Sequence, residues 1–407
     1  MIGLPDKSFD IGIVGGGIIG LSTAMHLLEK YPKLKVGVIE KDAEIASQQT
    51  GHNSGVIHSG IYYKPGSFKA KFCVEGRESM YRFCADNGIK VVRCGKVIVA
   101  TREEELPRLK TLHERGTANG VPDLKIVEPP ELKEIEPHTF ALRALWAPHT
   151  GIVNFKDVAA VYARRVKAGS GEVMTGTRLR KIARSGNRIV VETTRGSFEV
   201  KHIINCAGLH SDRVARLMGI DPGVRIIPFR GEYYTLKKEK QYLVKGLIYP
   251  VPDPAFPFLG VHFTNNVKGY VEAGPNAVLA MAREGYRKRD INLSDLVGTV
   301  SYMGFWRMTA RDWRTGFMEM NRSARKGVFV RDLRKLIPEI KASDLGGGGS
   351  GVRAQAVDGT GKLLDDFHIK SVENAVHVLN APSPGATSSL VIGRYIVDMA
   401  RQTFNLN

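Results

Sequence analysis

Gly15, Gly17 and Gly20, spaced G-x-G-x-x-G, together with Glu40 twenty residues after the third glycine, are the residues whose types and spacing point most directly to chemistry. The first glycine permits a tight turn, the second lets main chain approach a pyrophosphate, and the third lets a helix pack closely on a strand. A helix beginning near Ile18 and Ile19 aims its unpaired N–H groups at phosphates. Glu40 can accept hydrogen bonds from a ribose diol, and its charge repels a 2′-phosphate. Lys41 is counted with this adenine end, although it reads as neighbouring surface. A glycine triplet alone is only a turn. Here the run from Phe9 to Glu40 reads strand, glycine turn, helix, strand and acid, so it predicts a bound dinucleotide, with NAD and FAD both open.

These residues need a scaffold of some size. A chain of 407 residues predicts two lobes or domains, and 43% apolar and 25% charged residues are ordinary globular values. No apolar run approaches the ~18 residues of a membrane span, and the first residues, MIGLPDKSFD, lack the pattern of a signal peptide. The expected location is cytoplasmic or peripheral on an inner membrane. Cys73, Cys84, Cys94 and Cys206 show no C-x-x-C spacing and read as buried thiols rather than a disulfide framework or zinc site. Net charge is +18, and residues 281–341, with fourteen Lys and Arg against seven Asp and Glu, give +7 of it. That charge suits an anionic substrate or anionic lipid. Nucleic acid ranks last as a partner, because no nucleic-acid module is recognisable.

Alternating strand and helix patterns predict an α/β class. A loop rich in small residues runs from Ser47 to Gly60, a helix from Ser67 to Asp86, and a strand over Lys96–Ala100. Asn187 to Val200 reads as a hairpin, and KHIINCAG, Lys201 to Gly208, as a separate buried strand ending in small residues. From about Pro228 to Ala280 the runs GEYYTL, LIYPVP, LGVHFT and GYVEAG predict an antiparallel sheet. Residues 346–350, GGGGS, have a flexible composition and read equally as a natural hinge loop or an engineered linker.

Four blocks occur in order: TGHNSGVIHSGIYYKP (Thr50 to Pro65), PFRGEYY (Pro228 to Tyr234), GVRAQAV (Gly351 to Val357) and NAPSPGATSS (Asn380 to Ser389). Together they closely resemble the L-2-hydroxyglutarate dehydrogenases and oxidases. These are FAD-dependent oxidoreductases related to D-amino-acid oxidase, glycine oxidase and glycerol-3-phosphate dehydrogenase. The resemblance covers essentially the whole chain. It departs at Gly385, where Ala is expected, and at GGGGS. It implies a discontinuous Rossmann-like FAD-binding domain (1–85, 146–225 and 342–407) and an inserted α+β substrate domain with an antiparallel sheet (86–145 and 226–341). It implies non-covalent FAD, and oxidation of L-2-hydroxyglutarate to 2-oxoglutarate by hydride transfer from C2 to flavin N5. The nearest alternative is a relative acting on an amino acid such as glycine, or on glycerol 3-phosphate.

Oxidising a 2-hydroxy acid needs a base for the hydroxyl proton and cations for carboxylate. His58, in the loop that the resemblance places along the flavin, is the candidate base. Arg353 is the candidate for the carboxylate beside C2, which a planar guanidinium binds bidentately. Tyr62, Lys64, Tyr249 and His262 are candidates for the second carboxylate, and Arg230 reads equally as a site residue or the anchor of a bend. Thr50, His52, Asn53, Ser54, Gly55, Ala207 and Gly208 are expected along the cofactor. Pro384, Gly385, Ala386 and Thr387 are expected where a helix start faces the flavin ring and stabilises negative charge on it.

Trp306, Ala310, Trp313, Phe317 and Met320 follow helical spacing, with Arg307, Arg311 and Arg314 on an adjoining face. The first reading is an amphipathic helix packed on its own domain. The second is a membrane-facing segment, 300–322, on an anionic surface, which would suit delivery of electrons to a quinone rather than to oxygen, with both acceptors open.

Overall fold

The computed structural model describes residues 7–253 and 260–407, so the first six residues and the start of LGVHFT at Leu259 lie outside the described residues. The chain has a mixed α/β fold with several sheets. Its first unit is β1 (Ser8–Val14), α1 (Ile18–Lys30) and β2 (Val36–Ile39). Residues 11–14 and 36–39 are buried throughout, the pattern of strands covered on both faces of a parallel sheet. β1 pairs in parallel with β2 and with Gly196–Asn205, which pairs in parallel with Ala375–Asn380, while β2 pairs in parallel with Glu172–Met174. Leu21 and Met25 of α1 share a core with Tyr162 of the helix Phe155–Ala168 and Ile396 of the helix Ser389–Phe404.

The expected hairpin and the expected buried strand are joined. Gly196–Asn205 pairs antiparallel with Arg188–Thr193 over its first half and parallel with β1 over most of its length. No turn residue separates Val200 from Lys201, so the strand simply continues until its carboxyl end reaches the glycine turn.

A second sheet of nine strands contains the expected mid-chain antiparallel pairs, Val224–Leu236 with Val271–Gly274 and the latter with His262–Asn265. It also takes in Lys96–Ala100, parallel to Leu247–Pro250 and antiparallel to Arg143–Ala147. A small third sheet joins Val56–Ile57, Gly151–Val153 and Val91–Val92.

Two expectations are corrected. GGGGS is neither hinge nor linker: it lies inside the strand Leu345–Asp358, paired antiparallel with Val224–Leu236 through Gly346–Thr235, Gly347–Tyr234 and Ser350–Glu232. Glycine permits close approach here. A Cβ on Gly348 would run into the Tyr233 carbonyl, and one on Gly351 would lie 2.6 Å from the His52 carbonyl oxygen. The helix Met303–Ala324 forms, with a break at Asp312, but its predicted apolar stripe does not pack inward. Gly304, Phe305 and Met308 face the core, whereas Trp306, Trp313, Phe317 and Met320 are 52%, 58%, 69% and 65% exposed.

The glycine strand yields a contrast. Gly348→Ala is expected to lower stability by about 1–3 kcal/mol, since backbone blocks the new methyl group. Gly347→Ala, which meets nothing within 4 Å, should be nearly neutral. Thermal unfolding of both variants checks this, and equal melting temperatures would refute the packing account.

Candidate active site

The near end of the site is set by main chain. Gly15 has φ +115°, and a Cβ there would strike the Cys206 carbonyl, while one on Gly20 would strike the Gly15 carbonyl. Gly20 therefore packs α1 on the turn and does not line the cavity. Gly17 begins α1 with no capping side chain of its own. The Ile18 N–H, expected to face a phosphate, instead donates to Thr50 Oγ1 at 3.0 Å, because the loop after β2 folds over the helix mouth. The Ala46 N–H fastens that loop to the Gly16 carbonyl at 3.0 Å.

Glu40 is 8% exposed and borders the cavity. One carboxylate oxygen accepts the Gly16 N–H at 2.8 Å and the other the Asp42 N–H at 2.9 Å. Burial raises the pKa of this carboxyl, with the two N–H donors pulling the other way. Gly16 escaped the sequence reading, yet a Cβ there would press on the Glu40 side chain at 2.8 Å. Lys41 borders the cavity while bridging Asp42 and Glu284 at 2.7 and 3.0 Å.

From this end a cavity of about 610 Å³ runs along the carboxyl ends of the parallel strands to the face of the second sheet. Ile18, Ile19, Thr50, His52, Asn53 and Ser54 line it, as do Ala207 and Gly208. Gly55 is set back, holding a φ of +68° beneath the Val153 carbonyl. The Asn53 amide ties its own loop, donating to the Gln49 and Thr50 carbonyls and accepting from the Gly55 N–H. His52 packs its ring on Tyr286 at 4.2 Å and lies 3.1 Å from the Ser350 carbonyl. Pro384, Gly385, Ala386 and Thr387 line the opposite wall, and the helix itself begins at Ser389. A Cβ on Gly385 would lie 3.1 Å from the Ala381 carbonyl oxygen, so alanine fits after a small adjustment.

At the far end His58 and Arg353 line the same cavity although 295 residues separate them in the chain. Thr387 fastens the His58 segment: its hydroxyl accepts the His58 N–H at 3.1 Å and donates to the Val56 carbonyl at 3.2 Å. His58 Nε2 is 3.4 Å from Ser383 Oγ, and Nδ1 is buried without a partner among the described residues. Burial first, then the charges of Lys96 and His262, push the His58 pKa down to about 3. Burial likewise lowers His262 to about 4. Both rings are therefore neutral at pH 7. Arg353 keeps accessible surface on the cavity, burial pushes its pKa down, and Tyr63 and Tyr233 lie close by. Tyr249 and His262, stacked at 3.7 Å, form part of the same wall.

At the substrate end three candidates do not line the cavity. Lys64 is exposed in a turn whose carbonyl accepts from Ser67, the cap of the helix Phe68–Asp86. Tyr62 packs behind the wall, with Lys96 on its ring at 4.6 Å. Arg230 is the anchor of its strand: it pairs with Glu232 at 3.0 Å and donates to the Arg287 carbonyl at 3.2 Å. Strand alternation accounts for this, since Phe229 and Gly231 on either side of it do line the cavity. Sequence reasoning missed Tyr63, Tyr233, Ser383 and Lys96, residues of ordinary type that only the fold brings together.

Comparison with known proteins agrees with this geometry. A family model described as FAD dependent oxidoreductase matches residues 10–399. L-2-hydroxyglutarate dehydrogenase of Indibacter alkaliphilus is 51% identical over 97% of this chain and 100% of that protein. Mitochondrial L-2-hydroxyglutarate dehydrogenase of Homo sapiens is 46% identical over 98% and 90%. Among solved structures, L-α-glycerophosphate oxidase from Mycoplasma pneumoniae with FAD bound superposes with a TM-score of 0.80 at 23% identity, covering 98% of this chain and 96% of that one. Glycine oxidase from Geobacillus kaustophilus gives 0.72 at 18% identity, covering 97% and 95%. The residues present fit FAD: an acid at one end for a ribose, glycine main chain at a helix mouth, and a cavity continuing to a second wall.

The neutral histidines make acid stability a test. In the unfolded chain each takes a proton near 6.5, whereas in the fold His58, His262 and His377 resist it down to about 3, 4 and 4. The unfolded state thus binds more protons below pH 6.5, and stability falls as pH falls. Denaturant unfolding at pH 7, 6 and 5 should show this loss, with a shallower slope for His262→Gln. Identical slopes would contradict the assignment.

Proposed function

This chain belongs to the FAD-dependent oxidoreductase family, and we propose that it oxidises L-2-hydroxyglutarate to 2-oxoglutarate. The observation that carries this is the meeting of His58 and Arg353 on one cavity whose other end bears Gly15, Gly17 and Glu40. The full-length similarity to L-2-hydroxyglutarate dehydrogenases supports the choice of substrate over glycine or glycerol 3-phosphate.

FAD, when bound, supplies the two-electron acceptor. Residues 1–85, 146–225 and 342–407 hold it and residues 86–145 and 226–341 hold substrate. Support comes from the parallel strands of the first sheet and from the separate nine-stranded sheet, which draws one strand, Leu345–Asp358, from the last cofactor segment. Glu40 accepts from the ribose, and the main chain at Gly15–Ile19 and Pro384–Thr387 makes the close approaches. Arg353 binds the carboxylate beside the reacting carbon and fixes its orientation. His58, neutral, takes the hydroxyl proton on a ring nitrogen. A pKa near 3 makes it a weak base by itself. The carboxylates of a bound diacid add negative charge beside the ring and raise its proton affinity. Tyr249 and His262 contact the remote end of the substrate.

The electrons leave to a membrane acceptor of the quinone class, with the protein docked peripherally on anionic lipid. No described helix is long and apolar enough to cross a membrane. Support for docking is the exposed apolar surface of Trp306, Trp313, Phe317 and Met320, extended by Leu293 at 72% and Met303 at 60% exposed, beside Arg314 stacked on Trp313.

Anaerobic bleaching of the bound flavin should be fastest with L-2-hydroxyglutarate among that acid, its D-isomer, lactate, glycine and glycerol 3-phosphate. Faster bleaching by glycine would overturn the reading. His58→Ala and Arg353→Ala should each lower kcat/KM at least a hundredfold while retaining flavin. Vesicles containing anionic lipid should pellet the wild type at low salt and leave Trp313→Ser/Phe317→Ser/Arg314→Ser in solution. Equal pelleting would sink the docking surface.

A further inference from the structure

We propose that Lys96, a residue behind the cavity wall, sets the preference of this site for a substrate bearing a second carboxylate. The inference rests on the substrate reading above and deepens it: Arg353 serves the carboxylate beside the reacting carbon, so a remote carboxylate requires another cation.

Lys96 opens an inner strand of the nine-stranded sheet, between Arg143–Ala147 and Leu247–Pro250. It is 1% exposed. A lysine so deeply buried ordinarily has a carboxylate partner, because an uncompensated charge in a low dielectric is expensive. Among the described residues no carboxylate pairs with it. Glu272, which acts on Tyr249 and Tyr233 from within the same sheet, is not at ion-pair distance from Lys96. What surrounds the ammonium is aromatic: the ring faces of Tyr62 and Tyr249 lie 4.6 and 5.1 Å from Nζ. The other titratable groups acting with it are His58, His262 and the Cys73 thiol, none of them anionic at pH 7. Burial pushes the ammonium down to about 8, so it remains a cation at neutral pH.

The positive charge therefore stands directly behind the Tyr249–His262 stack that lines the cavity. Beside it the Tyr62 hydroxyl is buried with no partner among the described residues. Among the described residues only ring faces answer this charge, which leaves a site favourable to an anion on the cavity side of the wall. Acting from a buried position, the attraction is worth on the order of ten- to a hundredfold in affinity. Lys96 acts through the wall as a positioning residue, so its removal discriminates between substrates instead of impairing all of them.

The test uses FAD-loaded enzyme and a matched pair of substrates, L-2-hydroxyglutarate and L-2-hydroxyvalerate, which has the same carbon chain without the second carboxylate. Lys96→Met should reduce the ratio of kcat/KM values for diacid over monoacid at least tenfold, chiefly through KM. The monoacid should change less than threefold, and Lys96→Arg should largely keep the wild-type ratio. Binding of glutarate against butyrate, followed by perturbation of the flavin spectrum, should show the same loss without turnover. Lys96→Gln provides a second neutral variant if Lys96→Met retains no flavin. Equal losses for both acids, or an unchanged ratio, would overturn the role of Lys96. A wild type that bleaches equally with both acids would instead overturn the substrate reading.

Discussion

Two main-chain approaches underlie the rest of this structure: Gly15 against the Cys206 carbonyl, and Gly20 against the carbonyl of Gly15. They bring the carboxyl ends of two adjacent parallel strands and the mouth of α1 to one place with no side chain between them. That is where an α/β sheet opens a crevice for a ligand. The Thr50 hydroxyl on the Ile18 N–H and the Glu40 carboxylate on the Gly16 N–H then fasten the surrounding loops, so the near wall is held by backbone hydrogen bonds.

Electrostatics divides the cavity. At the near end Glu40 is satisfied by two N–H donors, and hydrogen bonds from His210 and then Lys41 hold the Glu284 carboxyl down to about 2. At the far end burial makes two histidines neutral and leaves Arg353 and Lys96 as the cations. A region with neutral bases, two cations and aromatic walls suits an acid substrate that must give up a proton.

Glycine also fits the strand bearing Arg353 into the nine-stranded sheet. Leu345–Asp358 pairs with Val224–Leu236 along nearly its whole length, and Gly348 and Gly351 let it pass close to Tyr233 and His52. The strand that carries Arg353 to the cavity is the one whose composition resembles a linker. Repeated glycine reports backbone freedom in the unfolded chain, and a long partner strand can still order it.

The dinucleotide end was legible in the sequence because its physics is local. Gly15, Gly17, Gly20 and Glu40 act through one strand–helix–strand unit whose spacing is set by backbone geometry. The strand ending at Asn205 was legible for the same reason, though not that it continued the preceding hairpin. The far end was legible only in part. His58 and Arg353 stood out within distinctive blocks, whereas Lys64 and Arg230 were charged residues of suitable type facing elsewhere. Lys96 lies in KVIVA, an ordinary-looking strand, and becomes notable only when its neighbours are Tyr62, Tyr249 and no acid. The exposed stripe of Met303–Ala324 shows the same limit, since helical periodicity defines a face but not what covers it. By itself the sequence determined the first strand–helix–strand unit, its glycine turn and a dinucleotide cofactor, because each depends on neighbours in the chain. Tertiary structure decided which cations stand at or behind the cavity wall, since burial and pairing depend on partners far away in the chain.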